Sequence, residues 1–275
     1  MKGKIYTMDK YSDLIAKIRR RRAWVFVFTL VAIVLIVLFA SPIQIEVAGE
    51  SIITYKGLLH PALAVFLVLL TLLVGSVLYA LASLSLYSSM DQECDPEKHL
   101  ILNMKLNRQK NIDHIYAVDY LYLGHLEKSV EHAEKMIASG KEDRVLSGLF
   151  HKARCEFLGA HYDALSQTAS EFTATLSSSR KQKPKAIIAY QRIGDAMNLM
   201  LAIAKDDTDR INALRNSIEP WNTSKPTQGF VNYIKGIAAY KAGDRQEAVY
   251  RLKWVKENCQ KTVFSALADG YLALI

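Results

Sequence analysis

Ala23 to Ala40 reads AWVFVFTLVAIVLIVLFA, 18 residues without a charge. A helix crossing the hydrocarbon core of a bilayer takes about 20 apolar residues at ~1.5 Å each. The run reaches that length once Ser41 to Ile45 extends it, which puts a first span at about 23–43. A core helix of a soluble domain keeps a polar stripe, and this run has none. A cleaved signal peptide is the rival reading. Its apolar core is usually only about 7–15 residues, behind a shorter basic region than the 22 residues found here. Val47-Ala48-Gly49, the nearest cleavage pattern, lies well downstream. A retained span is expected.

Upstream, residues 1–22 hold eight basic side chains (Lys2, Lys4, Lys10, Lys17, Arg19, Arg20, Arg21 and Arg22) against Asp9 and Asp13, a charge of +6. Downstream, Ala62 to Tyr87 is a second uncharged run, 26 residues long. Two isolated strands could not close a barrel, so both runs are expected as helices. The cluster Arg19 to Arg22 abuts the first run, and the positive-inside rule puts that end in the cytoplasm. The connecting loop 44–61 carries only Lys56 and His60 as potential cations and is expected outside. Residues 88–275 then return to the cytoplasm, giving a two-pass protein of a bacterial plasma membrane with both ends inside. Trp24 and Tyr87 are expected at the inner interface, and the arginines can also attract anionic lipid. The loop alternates apolar and polar residues around Ala48-Gly49-Glu50, the pattern of a small β-hairpin. Gly75, Ser76 and Ala80 form a small-residue patch on which the two spans can pack closely.

The whole chain of 275 residues has a net charge of +8. Subtracting the tail leaves +2 for the rest, so the basic balance belongs to the tail and does not mark a nucleic-acid surface. Cys94, Cys155 and Cys259 are odd in number and far apart, with neither a zinc spacing nor a disulfide framework. Reduced thiols in a cytosolic domain are expected.

After Tyr87 the chain turns polar and its apolar residues recur at helical spacing. Asp95-Pro96-Glu97 has the residues of a helix start. Three short turns look alike: Leu123-Gly124-His125, Leu158-Gly159-Ala160 and Ala242-Gly243-Asp244. Gly124 to Gly159 is a step of 35 residues, and so is Ala213 to Ala248, which predicts a fourth turn near Lys205 to Thr208. The longer step between the second and third units fits an inserted loop at Ser177 to Lys185. The expected fold is all-α: a transmembrane hairpin, then stacked helical hairpins.

The stretch Phe230 to Asn258 resembles a tetratricopeptide repeat, a helix-turn-helix unit of about 34 residues. Gly236 matches the glycine of its first helix, Ala248 the alanine of its second, Leu252 the large apolar residue after it, and Gly243-Asp244 the turn. The stretch departs from the pattern at Asn232 for tryptophan, Lys235 for leucine, Ala239 with Tyr240 displaced for tyrosine, and Gln260 for proline. Units at 112–138 and 145–173 match more weakly, so the resemblance spans 112–275. It implies an α-solenoid whose first helices line a concave groove for a peptide or protein partner. The implied groove residues are Asn111, His114, Tyr122, Asp195, Asn198, Tyr233, Tyr240 and Lys241. Val263, Leu267, Tyr271 and Ile275 share a face and are expected to cap the end of the array.

Neither phosphate-binding glycine loops nor the nucleophile and zinc-protease motifs occur. The seven histidines show no metal spacing. No enzyme activity, cofactor, metal or small-molecule substrate is expected. A membrane-anchored scaffold is the leading expectation. A structural subunit of a larger membrane assembly is the alternative, and an enzyme of unrecognised chemistry ranks third.

Overall fold

The computed structural model describes residues 8–40, 43–47, 50–55, 59–106, 112–178 and 184–275. The chain divides into two compact units at Leu86/Tyr87.

In the first unit a short 3-10 turn leads into α1 (Ser12–Ala40), followed by strands β1 (Ile43–Val47) and β2 (Glu50–Tyr55) and helix α2 (Pro61–Ala82). The strands pair antiparallel, with a register shift at Ile45/Glu46. The helices run antiparallel: Leu59 N–H donates to the Phe39 carbonyl at one end, and Arg22 Nε donates to Ser83 Oγ at 2.9 Å at the other. The Arg22 guanidinium also lies 5.1 Å from the Tyr79 ring centre. Gly75 lets the helices approach, since a Cβ there would sit 2.6 Å from Thr29 Oγ1. Ser76 instead satisfies its hydroxyl on the Leu73 carbonyl of its own helix. Trp24 stacks on Phe28, while the Tyr87 side chain lies outside the described residues. Both helices are long and apolar enough to cross a membrane. Their large side chains point outward on every side; Phe26 and Phe28 are each 66% exposed.

Helix α3 (Leu84–Asp91) leads into the second unit, which continues with α4 (Pro96–Leu106). Asp95 caps α4 by accepting from Lys98 N–H. Four helical hairpins follow: α5 (Asp113–Tyr122) with α6 (Leu126–Ala138), α7 (Glu142–Leu158) with α8 (Tyr162–Ser178), α9 (Pro184–Ala204) with α10 (Thr208–Leu214), and α11 (Lys225–Lys241) with α12 (Arg245–Asn258). Helix α13 (Val263–Leu272) is the last helix among the described residues.

The four hairpin turns repeat one hydrogen-bond pattern. In the first, Leu123, Gly124 and His125 N–H groups donate to Asp119, Leu121 and Tyr120 carbonyls. The same three offsets recur at Gly159–His161, Lys205–Asp207 and Ala242–Asp244. This wrapping of the last carbonyls is a Schellman-type helix end, which needs one left-handed residue. That residue is Gly124, Ala160, Asp206 and Gly243 in turn, with φ between +52° and +79°. The equivalent of Gly124 is therefore Ala160. Gly159, which the 35-residue spacing selects, has φ −83° and sits one place early. The periods become 36, 46 and 37 residues, and the long one contains the inserted loop, whose residues 179–183 lie outside the described residues.

Numbering from the left-handed residue, the fifth residue after it is Ser129, Leu165, Ile211 or Ala248, and all four are fully buried. The seventh before it is Ala117, Ala153, Leu199 or Gly236, and a Cβ on Gly236 would sit 2.8 Å from Leu252 Cγ. Small residues mark the crossing in the first and fourth hairpins, where Ser129 Oγ also donates to the Ala117 carbonyl.

First helices pack on first helices: α5 on α7, α7 on α9, α9 on α11 and α11 on α13. Helix α13 packs on both helices of the last hairpin, as expected of an end cap. Helix α13 also packs on α5, at the beginning of the series. Phe264 is the reason. It is fully buried, 4.9 Å from Tyr122 of α5, 5.7 Å from Phe230 and 5.3 Å from Tyr233 of α11, ring centre to ring centre. Burying so large a ring against three others favours the contact of α13 with both α5 and α11. The half-buried Val263, Leu267, Tyr271 and Ile275 flank that anchor, and Leu274 remains exposed.

Candidate functional site

A cavity of about 550 Å³ opens on the side formed by the first helices. Helix α5 contributes His114, Ile115, Val118 and Tyr122; α7 contributes Ser147, Phe150, His151 and Arg154; α9 contributes Ala189, Tyr190 and Ile193. His99 and Asn103 of α4 close one side, and Trp221, Asn222, Ser224, Pro226 and Thr227 close the other. The last group is held by a local turn in which Asn222 Oδ1 accepts from Ser224 N–H at 3.0 Å and Ser224 Oγ at 2.7 Å. Tyr122 ties the floor together by donating its hydroxyl to the Pro226 carbonyl at 2.6 Å.

Arg154 lies at the bottom, 3% exposed. Its guanidinium carbon is 4.6 Å from the Phe150 ring centre, 5.3 Å from Phe230 and 5.7 Å from Tyr122. Nη2 meets His151 Nδ1 at 2.5 Å, and among the described residues Nε has no hydrogen-bond partner. Because Nδ1 accepts this bond, the imidazole is neutral. Burial, then the adjacent arginine charge, holds the His151 pKa well below its ordinary 6.5. Burial also lowers the Arg154 pKa, but a guanidinium remains charged.

Among the described residues no carboxylate lies within ion-pair distance of Arg154. Glu156, two residues on, faces away and accepts from Thr168 Oγ1 at 3.1 Å. Asp91, the one acid on the cavity wall, is exposed. Asp119 is buried behind the wall and engaged by His99 Nδ1 at 2.8 and 2.9 Å. Its pKa is pushed up to about 6 by burial, against the pull of His99.

The repeat register shows how unusual this is. Nine and six residues before the left-handed turn residue, the second hairpin has His151 and Arg154. The other three have Ile115 and Val118, Met197 and Met200, and Ile234 and Ile237. Helix α7 therefore places a polar pair where its counterparts place apolar residues.

A second depression of about 630 Å³ lies beside Arg192, Lys235 and Arg251. Its cations are matched: Arg192 pairs with Glu219, Arg251 with Glu247, and Lys235 donates to the Ile218 carbonyl. It holds no comparable imbalance.

Of the residues singled out from the sequence, His114 and Tyr122 line the cavity. Asn111 lies outside the described residues. The remaining five are not brought to it. Asp195 is exposed elsewhere on α9, and Asn198 accepts from Arg210 Nη2. Tyr233 is buried under α13, and Tyr240 packs on Tyr271. Lys241 forms an ion pair with Asp206 of the third turn. The return of α13 covers the part of α11 that an open array would leave free. His151 and Arg154 are not marked by the repeat pattern, but Arg154 follows Phe150 by four residues and so falls on the apolar stripe of α7. Of Arg19 to Arg22, Arg22 is half-buried against α2 and the other three are exposed.

Cys94 and Cys259, 165 residues apart in sequence, come within hydrogen-bond reach of one another, and all three thiols are free and buried. Among the described residues no three His, Cys, Asp or Glu side chains gather as metal ligands. In comparisons with known proteins, no family model, no curated protein and no solved structure matches this chain.

Proposed function

We propose that the chain is a membrane-anchored binding module of tetratricopeptide-like architecture, whose first helices form a groove for a protein or peptide partner. The observation that carries this reading is the cavity floored by Arg154, a buried charge without a counterion on the face shared by the first helices. A groove left open with an unmatched charge is arranged for something that is not part of its own fold.

The anchor is α1 with α2. The uncharged part of α1, Ala23–Ala40, spans about 27 Å and α2 about 33 Å, against a hydrocarbon core of ~30 Å. Their exposed phenylalanines and leucines have no place in water. By the positive-inside rule the exposed Arg19, Arg20 and Arg21 favour the cytoplasm for this end of the hairpin, with residues 88–275 on the same side. The similarity of architecture is supported by four hairpins with one turn geometry and mostly about 36 residues between turns. Confinement to the membrane raises the local concentration of membrane-bound partners.

Two measurements test this. A photo-crosslinking residue at Tyr190, on the cavity wall, should trap a discrete protein in native membranes, while one at the exposed Glu171 of α8 should not. Equal patterns from both positions, or no adduct from Tyr190, would remove a protein or peptide partner from the groove. For topology, the native cysteines are too buried to label in the folded protein. Lys253→Cys, on the exposed side of α12, should react with an impermeant maleimide only after the membrane is opened. Reaction on sealed cells would place the helical unit outside.

A further inference from the structure

Arg154 is a buried cation at a position that the repeat does not require to be charged. A buried cation without an anion is destabilising, and the other three hairpins avoid it by placing Val118, Met200 and Ile237 at the equivalent position. The neighbours of Arg154 reduce that cost without cancelling it. Three aromatic rings face the guanidinium, and a neutral imidazole accepts from Nη2, but neither supplies negative charge. The Nε–H is left without an acceptor at the bottom of an open cavity.

We infer that Arg154 receives one carboxylate, carried on an apolar body that occupies the cavity between Phe150, Tyr190, Ile193 and Trp221. This rests on reading the groove as a binding site. The charge count favours a carboxylate over a phosphate. Among the described lining residues Arg154 is the only lysine or arginine, so a dianion would leave negative charge unmatched against apolar walls. A planar carboxylate also matches the guanidinium fork. The aromatic and aliphatic walls fit an aryl or branched-alkyl body, and ~550 Å³ is the size of a small-ligand site. The same chemical group is offered by a free organic acid or by the C-terminal residue of a peptide.

The test uses the full chain in detergent micelles. Calorimetric titration is run with 3-phenylpropionate, 4-methylpentanoate and N-acetyl-alanyl-phenylalanine, and with the primary amide of each. At least one acid should bind, with its amide weaker by about ten-fold or more, as for loss of a charge-assisted hydrogen bond. Arg154→Met should abolish acid binding while leaving the unliganded Tm equal or higher, because an unmatched buried charge has been removed. Simple acids binding as tightly as the peptide acid identify a small organic acid as the ligand; binding of the peptide acid alone identifies a chain end. The inference is overturned if no acid binds, if acids and amides bind alike, or if Arg154→Met binds acids like the unmodified protein. It is equally overturned if Arg154→Met lowers the unliganded Tm by several degrees, since the arginine would then serve the fold. Crosslinking at Tyr190 separates the two readings. A protein adduct without acid binding removes the carboxylate alone; acid binding without an adduct removes the protein partner alone.

Discussion

Ala160 holds the left-handed backbone position of the second hairpin turn, with φ +57°, where the first and fourth turns use glycine. A Cβ in that region costs about 1–2 kcal/mol, offset in part by the greater freedom glycine has in the unfolded chain. Ala160→Gly should therefore stabilise the helical unit by about 0.5–1 kcal/mol, and Gly243→Ala should destabilise it by about 1 kcal/mol. Gly243 makes a clean comparison, since a Cβ there meets nothing within 4 Å. Chemical unfolding of the full chain in micelles measures both; changes of the same sign would refute the shared turn geometry. His151 sets a second expectation. Its pKa is depressed in the folded chain, so the unfolded chain takes up the proton first as pH falls through 6.5. Stability is then complete above 6.5 and is lost below it. Asp119 has the opposite sign, because its raised pKa favours the folded state as pH falls from about 6. Comparing His151→Gln with the unmodified protein isolates the histidine. The variant should escape about 0.5–1 kcal/mol of the loss between pH 7.5 and 6, and parallel stability curves would contradict a neutral buried imidazole.

At the scale of the element, a hairpin is set by its turn and its crossing. Asp207 and Asp244 follow the left-handed residue directly and cap the next helix by accepting from Arg210 and Glu247 N–H. Asp206 and Asp244 also join the third and fourth hairpins, through Lys241 and Arg215. The crossing of α11 with α12 depends on Gly236 and on the fully buried Ala248. Ala248→Leu should destabilise this hairpin by about 1–3 kcal/mol through overpacking. An unchanged melting temperature would show that the crossing lies elsewhere. These elements were legible in the sequence because glycine, aspartate and alanine carry local requirements. Their register was legible only to within one residue. At the second turn, glycine is the helix cap and alanine takes the strained place, and no local rule distinguishes Gly159 from Ala160.

For the molecule as a whole, the decisive contact is Phe264, which brings α13 against both α5 and α11. Further links join the same regions of the chain: the Asp95–Lys261 ion pair, the Cys94–Cys259 approach and the Tyr122–Pro226 hydrogen bond. Phe264→Ala would empty the centre of this ring cluster. It should cost about 3–5 kcal/mol, the usual range for a fully buried phenylalanine. Loss of under 1 kcal/mol in denaturant unfolding would mean that α13 closes the array without supporting it. The same closure covers Tyr233 and Tyr240, and the cavity is lined by α3, α4, α5, α7, α9, the start of α11 and the segment before it.

By itself the sequence determined the helical character of the chain, the two uninterrupted apolar helices and the places where hairpins turn. Each follows from short-range chemistry: unbroken apolar runs, helical periodicity, and residues that tolerate a left-handed backbone. Only the tertiary structure decided that the last helix returns to the first hairpin, that the expected groove residues of α11 are covered, and that Arg154 faces a cavity without a counterion. Those outcomes depend on which distant side chains meet. The sequence puts Arg154 on the apolar stripe of α7, but only the fold closes Tyr122, Phe150 and Phe230, contributed by three separate helices, around it.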